Sequence, residues 1–163
     1  MHITYYTKEN SGFTLIETVV VIGIFSVITC LALSTDIAGL HRYSFTDERN
    51  NLIAILYTAR NEAQNNFCLG DDCLDGTEHG VHIENGEIIL FQGVTYDSSN
   101  ETNRIIPIDS AVTITGATDI VFEKNSGDAH TVPIGTWSVT MTDTSGHSSI
   151  VSTNSVGQIT WTN

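Results

Sequence analysis

The chain has 163 residues, with 19 Asp and Glu against 6 Lys and Arg, a formal charge of −13, and three cysteines, an uneven count. Phosphate binding needs clustered Lys and Arg, so this balance argues against nucleic acid as a partner; the last eight positions, 156–163, carry no basic residue at all. An acidic solvated surface is the simplest account of the charge, and it would also suit an extracellular or divalent-cation-rich setting.

The first element is an apolar run over residues 13–33, in which only Thr14, Glu17, Thr18, Ser26 and Thr29 are clearly polar. As a helix it would span roughly 30 Å, the thickness of a bilayer's hydrocarbon core. A cleaved secretory signal has a shorter apolar core and a small-residue cleavage site behind it, and Ala32-Leu33-Ser34 is a poor version of such a site. A buried helix of a soluble core would be apolar along one stripe, whereas residues 19–28 are apolar on every face. A carboxylate in such a helix costs a few kcal/mol even on lenient scales, so Glu17 needs a partner or a task. No Lys or Arg lies between Lys8 and Arg42. The missing cation is a new amino terminus made by cutting just before Phe13, where Gly12 offers a protease an unhindered backbone and Lys8 supplies the charge that keeps the leader cytoplasmic. The competing reading has Glu17 snorkelling to the headgroups near the helix end without any partner.

Ser11-Gly12-Phe13-Thr14-Leu15-Ile16-Glu17 with its apolar tail resembles the class III signal of type IV pilins and type II secretion pseudopilins. The resemblance implies that a membrane prepilin peptidase cuts between Gly12 and Phe13 and N-methylates Phe13. It also implies that Glu17 pairs with a neighbouring subunit's terminal amine during assembly on an inner-membrane platform. The implied partners are other pilin or pseudopilin subunits, and no cofactor is implied. Many major pilins bend this helix at a proline, but here the two prolines are Pro107 and Pro133.

Beyond the anchor, Leu52, Leu56, Ala59, Ala63 and Phe67 recur three or four apart, which predicts an amphipathic helix over residues 46–67. Thr46 or Asp47 is placed to cap it and Glu48 lies in its first turn; Arg49, Arg60 and Glu62 fall on the solvated side. In the resembled family the anchor and this segment form one long helix, while "STDIAGLHRYSF" leaves a kinked pair equally open. Cys68 and Cys73 enclose four residues among turn formers, and on the exported side of a membrane such a pair oxidises to a short disulfide. A metal pair is the weaker reading, because no second Cys/His pair has the right spacing and His79 and His82 fall on a strand. Cys30 reads as a small buried hydrophobe. Asp71, Asp72 and Asp75 are oxygen donors that could bind calcium, the weaker reading because the alternating acidic loop ending in a bidentate Glu is lacking.

From His79 the pattern switches to period two. Val81 and Ile83, then Asn85-Gly86, then Ile88 and Leu90 predict a two-residue hairpin. Further strands are expected at 105–108, 112–115, 120–123, 137–142, 149–153 and 158–161. The long polar connection 94–104 is the candidate recognition loop, with a plain solvated loop as its rival, and Asn100-Glu101-Thr102 is an incidental sequon. Helices at the front followed by short antiparallel strands make the fold class α+β. "HGVHIENGEIILFQGVTY" and "VSTNSVGQITW", the latter around Gly157, are similar to the hairpin and closing strands of GspH/FimT-type minor pseudopilins. The resemblance implies a low-abundance subunit near a filament tip.

The expected organisation is a leader at 1–12, a membrane and assembly helix at 13–34, its extracytoplasmic continuation at 35–67 and a β-rich domain at 68–163. That domain is expected outside the inner membrane, in the periplasm or on an assembled filament. Asp143, Ser145 and His147 are the right types for a hydrolytic triad, but neighbours in one turn rarely meet its geometry. No GxSxG, HExxH or phosphate loop occurs either, so no enzyme is expected. The alternative from another class is a membrane-anchored binding module, such as an adhesin or competence-pilus subunit, that does not act in secretion.

Overall fold

The computed structural model describes residues 12–33, 37–70, 75–130 and 136–162. The expected leader up to Ser11, the junction at 34–36 that would decide between one stalk and a kinked pair, and Asp71, Asp72 and Cys73 lie outside the described residues. The chain divides into two compact units, Met1–Ile37 and Ala38–Asn163.

In the first unit the apolar run forms α1, Leu15–Leu33. Thr14 starts it: its Oγ1 accepts the Glu17 N–H at 3.3 Å and its carbonyl accepts the Thr18 N–H at 3.2 Å. A threonine N-cap of this kind is worth about 1 kcal/mol. Every large apolar side chain from Phe13 to Leu31 is exposed, as an all-round apolar surface requires if lipid or other helices are its solvent.

The second unit opens with α2, Ile37–Gln64. Thr46 and Asp47, the expected caps, lie inside this helix: Phe45, upstream of both, is buried in the core, and packing it extends the helix past the local capping signal. The C-terminus also falls short of Phe67. Asn66 takes φ +53°, its N–H bonds the Ala63 carbonyl, and the Phe67 N–H bonds the Glu62 carbonyl. These paired bonds form a Schellman end, with asparagine in the left-handed position. Leu52, Leu56, Ala59 and Ala63 are fully buried.

Among the described residues nine strands follow, in two antiparallel sheets. The first has the order β3-β2-β1-β5-β6, and the second β4-β7-β8-β9. The strands are β1 His79–Glu84, β2 Glu87–Gln92, β3 Arg104–Pro107, β4 Val112–Gly116, β5 Asp119–Phe122, β6 Ala129–His130, β7 Trp137–Asp143, β8 Ser148–Thr153 and β9 Ile159–Thr162. The β1–β2 turn has Asn85 at φ +49° and Gly86 at φ +81°, the geometry of a type I′ hairpin. Only β6 escaped the sequence pattern; two residues cannot show a period, and they are held by Phe122↔Ala129 pairing and by the Ala129 N–H to the Ser155 carbonyl.

A single core joins one face of α2 to Val81, Ile88, Ile120 and Phe122 of the first sheet and to Trp137, Val139, Met141 and Val151 of the second. The far end of α2 is clamped by two turns. Arg60 donates from Nε to the Gly127 carbonyl and from Nη2 to the Val156 carbonyl, and Gln64 Nε2 donates to the Ser126 carbonyl. Arg60 is thus a structural bridge rather than a solvated surface charge. Glu62 departs from that expectation too, being mostly buried and ion-paired with Arg104.

Ile89 and Phe91 are as buried as Ile88 and Leu90, although they face away from this core. Gly80, opposite Phe91 in the ladder, makes room for the ring: a Cβ there would lie 2.3 Å from Phe91 Cζ. The connection 93–103 covers this outer face. It is knitted by two Asx turns, in which Asp97 Oδ1 accepts the Ser99 N–H and Asn100 Oδ1 accepts the Thr102 N–H.

Candidate functional site

The sequence-derived site begins at Gly12, which is exposed. A Cβ at Gly12 would meet nothing within 4 Å, so packing does not account for the glycine. Phe13, 86% exposed, precedes the capping threonine, and Glu17 stands three residues past that cap, in the first turn of α1. Helix N-termini carry partial positive charge, which suits a carboxylate there and disfavours an amine.

The other polar side chains of the run are satisfied by the helix itself. Thr18 Oγ1 donates to the Thr14 carbonyl, Ser26 Oγ to Ile22 and Thr29 Oγ1 to Phe25. Bonds back to residue i−4 let hydroxyls enter lipid without an orphaned donor. Glu17 differs: among the described residues no hydrogen bond or ion pair engages its carboxylate. Among the described residues one helix is long and apolar enough to cross a membrane, over Leu15–Ala32.

Elsewhere the structure sorts the remaining candidates. Cys30 is a free, exposed cysteine on α1 rather than a buried one, on a helix whose large apolar side chains are exposed on every face. Cys68 is not a free thiol. His79 and His82 lie on β1, as expected. Among the described residues no group of three or more His, Cys, Asp or Glu side chains could hold a metal ion. His79 is buried beside α2; its Nδ1–H donates to the Thr77 carbonyl and its Nε2 lies 3.7 Å from Glu62. Burial holds this imidazole below its ordinary value, against the opposing pull of Glu62 and Thr77.

Asp143 and His147 do meet, with Nδ1–H donating to Oδ2 at 2.7 Å. Ser145 reaches the aspartate only through its backbone N–H, which together with the His147 N–H binds Oδ1. The group therefore ties the β7–β8 turn and lacks a serine hydroxyl on the imidazole, as a triad would require. Burial raises the Asp143 carboxyl, and the His147 and Ser145 bonds outweigh it, so the net shift is downward.

A cleft of about 300 Å³, not singled out from the sequence, opens on the outer face of the first sheet. Phe91 and Val121 form its buried floor, and Val94 and Tyr96 of the covering loop form one wall. Tyr96 stacks on His82 at 4.0 Å, and His82 Nδ1–H donates to Asp119 Oδ1 at 2.7 Å. The signal was present as Ile89 and Phe91, apolar residues on the supposedly solvated side of β2.

A family model described as the prokaryotic N-terminal methylation motif matches residues 7–32. No curated protein and no solved structure matches the chain. The motif's family is structural, and the motif implies processing by a prepilin peptidase and assembly with other pilins. The motif at residues 7–32, heading an apolar helix long enough to cross a membrane and followed by an α+β unit, indicates a type IV pilin- or pseudopilin-like precursor.

Proposed function

We propose that the chain is a minor pilin or pseudopilin, of the GspH/FimT type, that joins or primes the tip of a type IV pilus or type II secretion pseudopilus. Cleavage falls after Gly12, Phe13 becomes the N-methylated terminus, and Glu17 accepts the terminal amine of an adjoining subunit. One observation carries this reading: along α1 the hydroxyls are closed by their own helix, and the Glu17 carboxylate is not. An ion pair in low dielectric is strong when complete, and leaving one partner alone costs about 3–5 kcal/mol, so the unpaired acid rejects misplaced neighbours. The leader stays in the cytoplasm, α1 crosses the inner membrane, and Ala38–Asn163 lies outside it. The charge of −13 supports a low-abundance role, since stacking copies of so acidic a chain on one another accumulates repulsion. Cys68, not a free thiol, pairs with Cys73 in the exported domain.

Two variants test the proposal. Glu17→Ala is expected to be processed normally, with intact mass showing residues 13–163 plus one methyl group, yet to drop out of sheared filaments or crosslinked pseudopili. Gly12→Leu is expected to keep its leader and to abolish assembly. Filaments and secretion that survive Glu17→Ala would refute the assembly role and leave a membrane-anchored binding module. Function of uncut Gly12→Leu protein would refute the processing.

A further inference from the structure

We propose that the cleft on the outer face of the five-stranded sheet is a docking site for a partner polypeptide that inserts an arginine or lysine flanked by aliphatic residues. The apolar part is built: Phe91 and Val121 form a buried floor, and Val94, 67% exposed, stands at the mouth. The two imidazoles that line the cleft, His82 and His130, are each met by carboxylates, Asp119 and Glu84 at His82 and Glu123 at His130, so the charge around it is one-sided. Asp119 lines the cleft and retains acceptor capacity beyond its bonds from His82 Nδ1 and Thr118 Oγ1. At the hairpin tip Glu84 and Glu87 are paired directly across the strands, and the Tyr96 hydroxyl rests on Glu84. Like charges placed opposite one another weaken a hairpin, and burial first, then the charge and hydrogen bond of Glu84 and the fields of Glu87 and Asp97, raise the Tyr96 phenol. Among the described residues no Lys or Arg lines the cleft.

An apolar floor under an anionic rim complements a long aliphatic stem ending in a cation, which buries its methylenes and leaves its head among carboxylates. The docking loop is held ready, because the Tyr96–His82 stack and the two Asx turns fix its course. The site lies wholly within Ala38–Asn163 and stands independently of the role of Glu17.

The test uses the full chain in detergent micelles with methyl-labelled valines, titrated with acetyl-Leu-Arg-Val-amide and with its uncharged citrulline analogue. The arginine peptide is expected to shift the Val94 and Val121 methyl signals saturably. Affinity should fall about tenfold, equivalent to one strong contact, for the citrulline peptide and for the Asp119→Asn and Glu84→Gln proteins. Val94→Asn, at an exposed position, should weaken binding without disturbing the other methyl signals. Equal binding of both peptides would overturn the charge argument, and equal affinity for methylguanidinium alone would overturn the polypeptide assignment. Unshifted Val94 and Val121 signals would overturn the site itself.

Discussion

Gly80→Ala is the sharpest probe of how the outer face of the first sheet is built. An alanine Cβ would stand 2.3 Å from Phe91 Cζ, 2.7 Å from Phe91 Cε1 and 2.7 Å from the Ile120 carbonyl oxygen. The carbonyl belongs to the neighbouring strand, paired through Val81↔Ile120, and the ring is pinned between the sheet and Tyr96, 5.7 Å away. Neither neighbour can retreat by the required ångström without opening the ladder or lifting the loop. Overpacking of this kind costs about 1–3 kcal/mol, and two rigid obstacles place the substitution near 3 kcal/mol. At roughly 4 °C per kcal/mol for a domain of this size, the midpoint should fall by about 12 °C. The assay is thermal and denaturant unfolding in micelles, followed by the fluorescence of Trp137, which is fully buried. Phe91→Leu removes the ring atoms that Gly80 accommodates. In that background Gly80→Ala should cost about 1–2 kcal/mol less, the residue being the Ile120 carbonyl contact. Strict additivity of the two substitutions, or a neutral Gly80→Ala, would refute the claim that this glycine exists to admit the ring.

His79 predicts a pH dependence with a defined sign. Its folded value lies below the ordinary 6.5, so the unfolded chain binds the proton first, and stability should fall as pH drops below about 6.5. The loss should level off below the folded value, and denaturant midpoints of His79→Gln should be flat over that window. The carboxyls of Asp97 and Asp143 are lowered instead, so their contribution is complete above about pH 4 and is lost only below it. Arg60→Ala should destabilise by about 1–3 kcal/mol, because two carbonyls lose a charged donor, and Arg60→Lys should recover only part of this. Gly157→Ala should be worse: the position has φ +73°, and its Cβ would sit 2.1 Å from the Gly127 carbonyl. For the proposed Cys68–Cys73 bridge, iodoacetamide under denaturing, non-reducing conditions should label one cysteine, Cys30, and all three after reduction; three labels at the outset would refute it.

The anchor was legible because its signal is compositional and local. Apolar residues on every face, headed by Glu17, can be read without knowing what surrounds them, and α1 spans that run with Glu17 in its first turn; the Thr14 cap and the back-bonded hydroxyls came only with the structure. The strands were legible for a similar reason, since alternation and Asn85-Gly86 report on neighbouring residues. What escaped were features decided by contacts distant in sequence. Arg60 looks like any solvated helical cation until two turns, 67 and 96 residues away, bring carbonyls to its guanidinium. The start of α2 was misplaced because Thr46 is a good cap locally, and the burial of Phe45 outweighs it. The cleft was missed because period two assigns Phe91 to solvent, and only the return of the 93–103 loop gives that side chain an interior. Local rules thus recover the anchor and the strands. The long-range contacts assemble the second unit's own surface, and the unassigned cleft lies on that surface, signalled locally only by Ile89 and Phe91 on the outer side of β2.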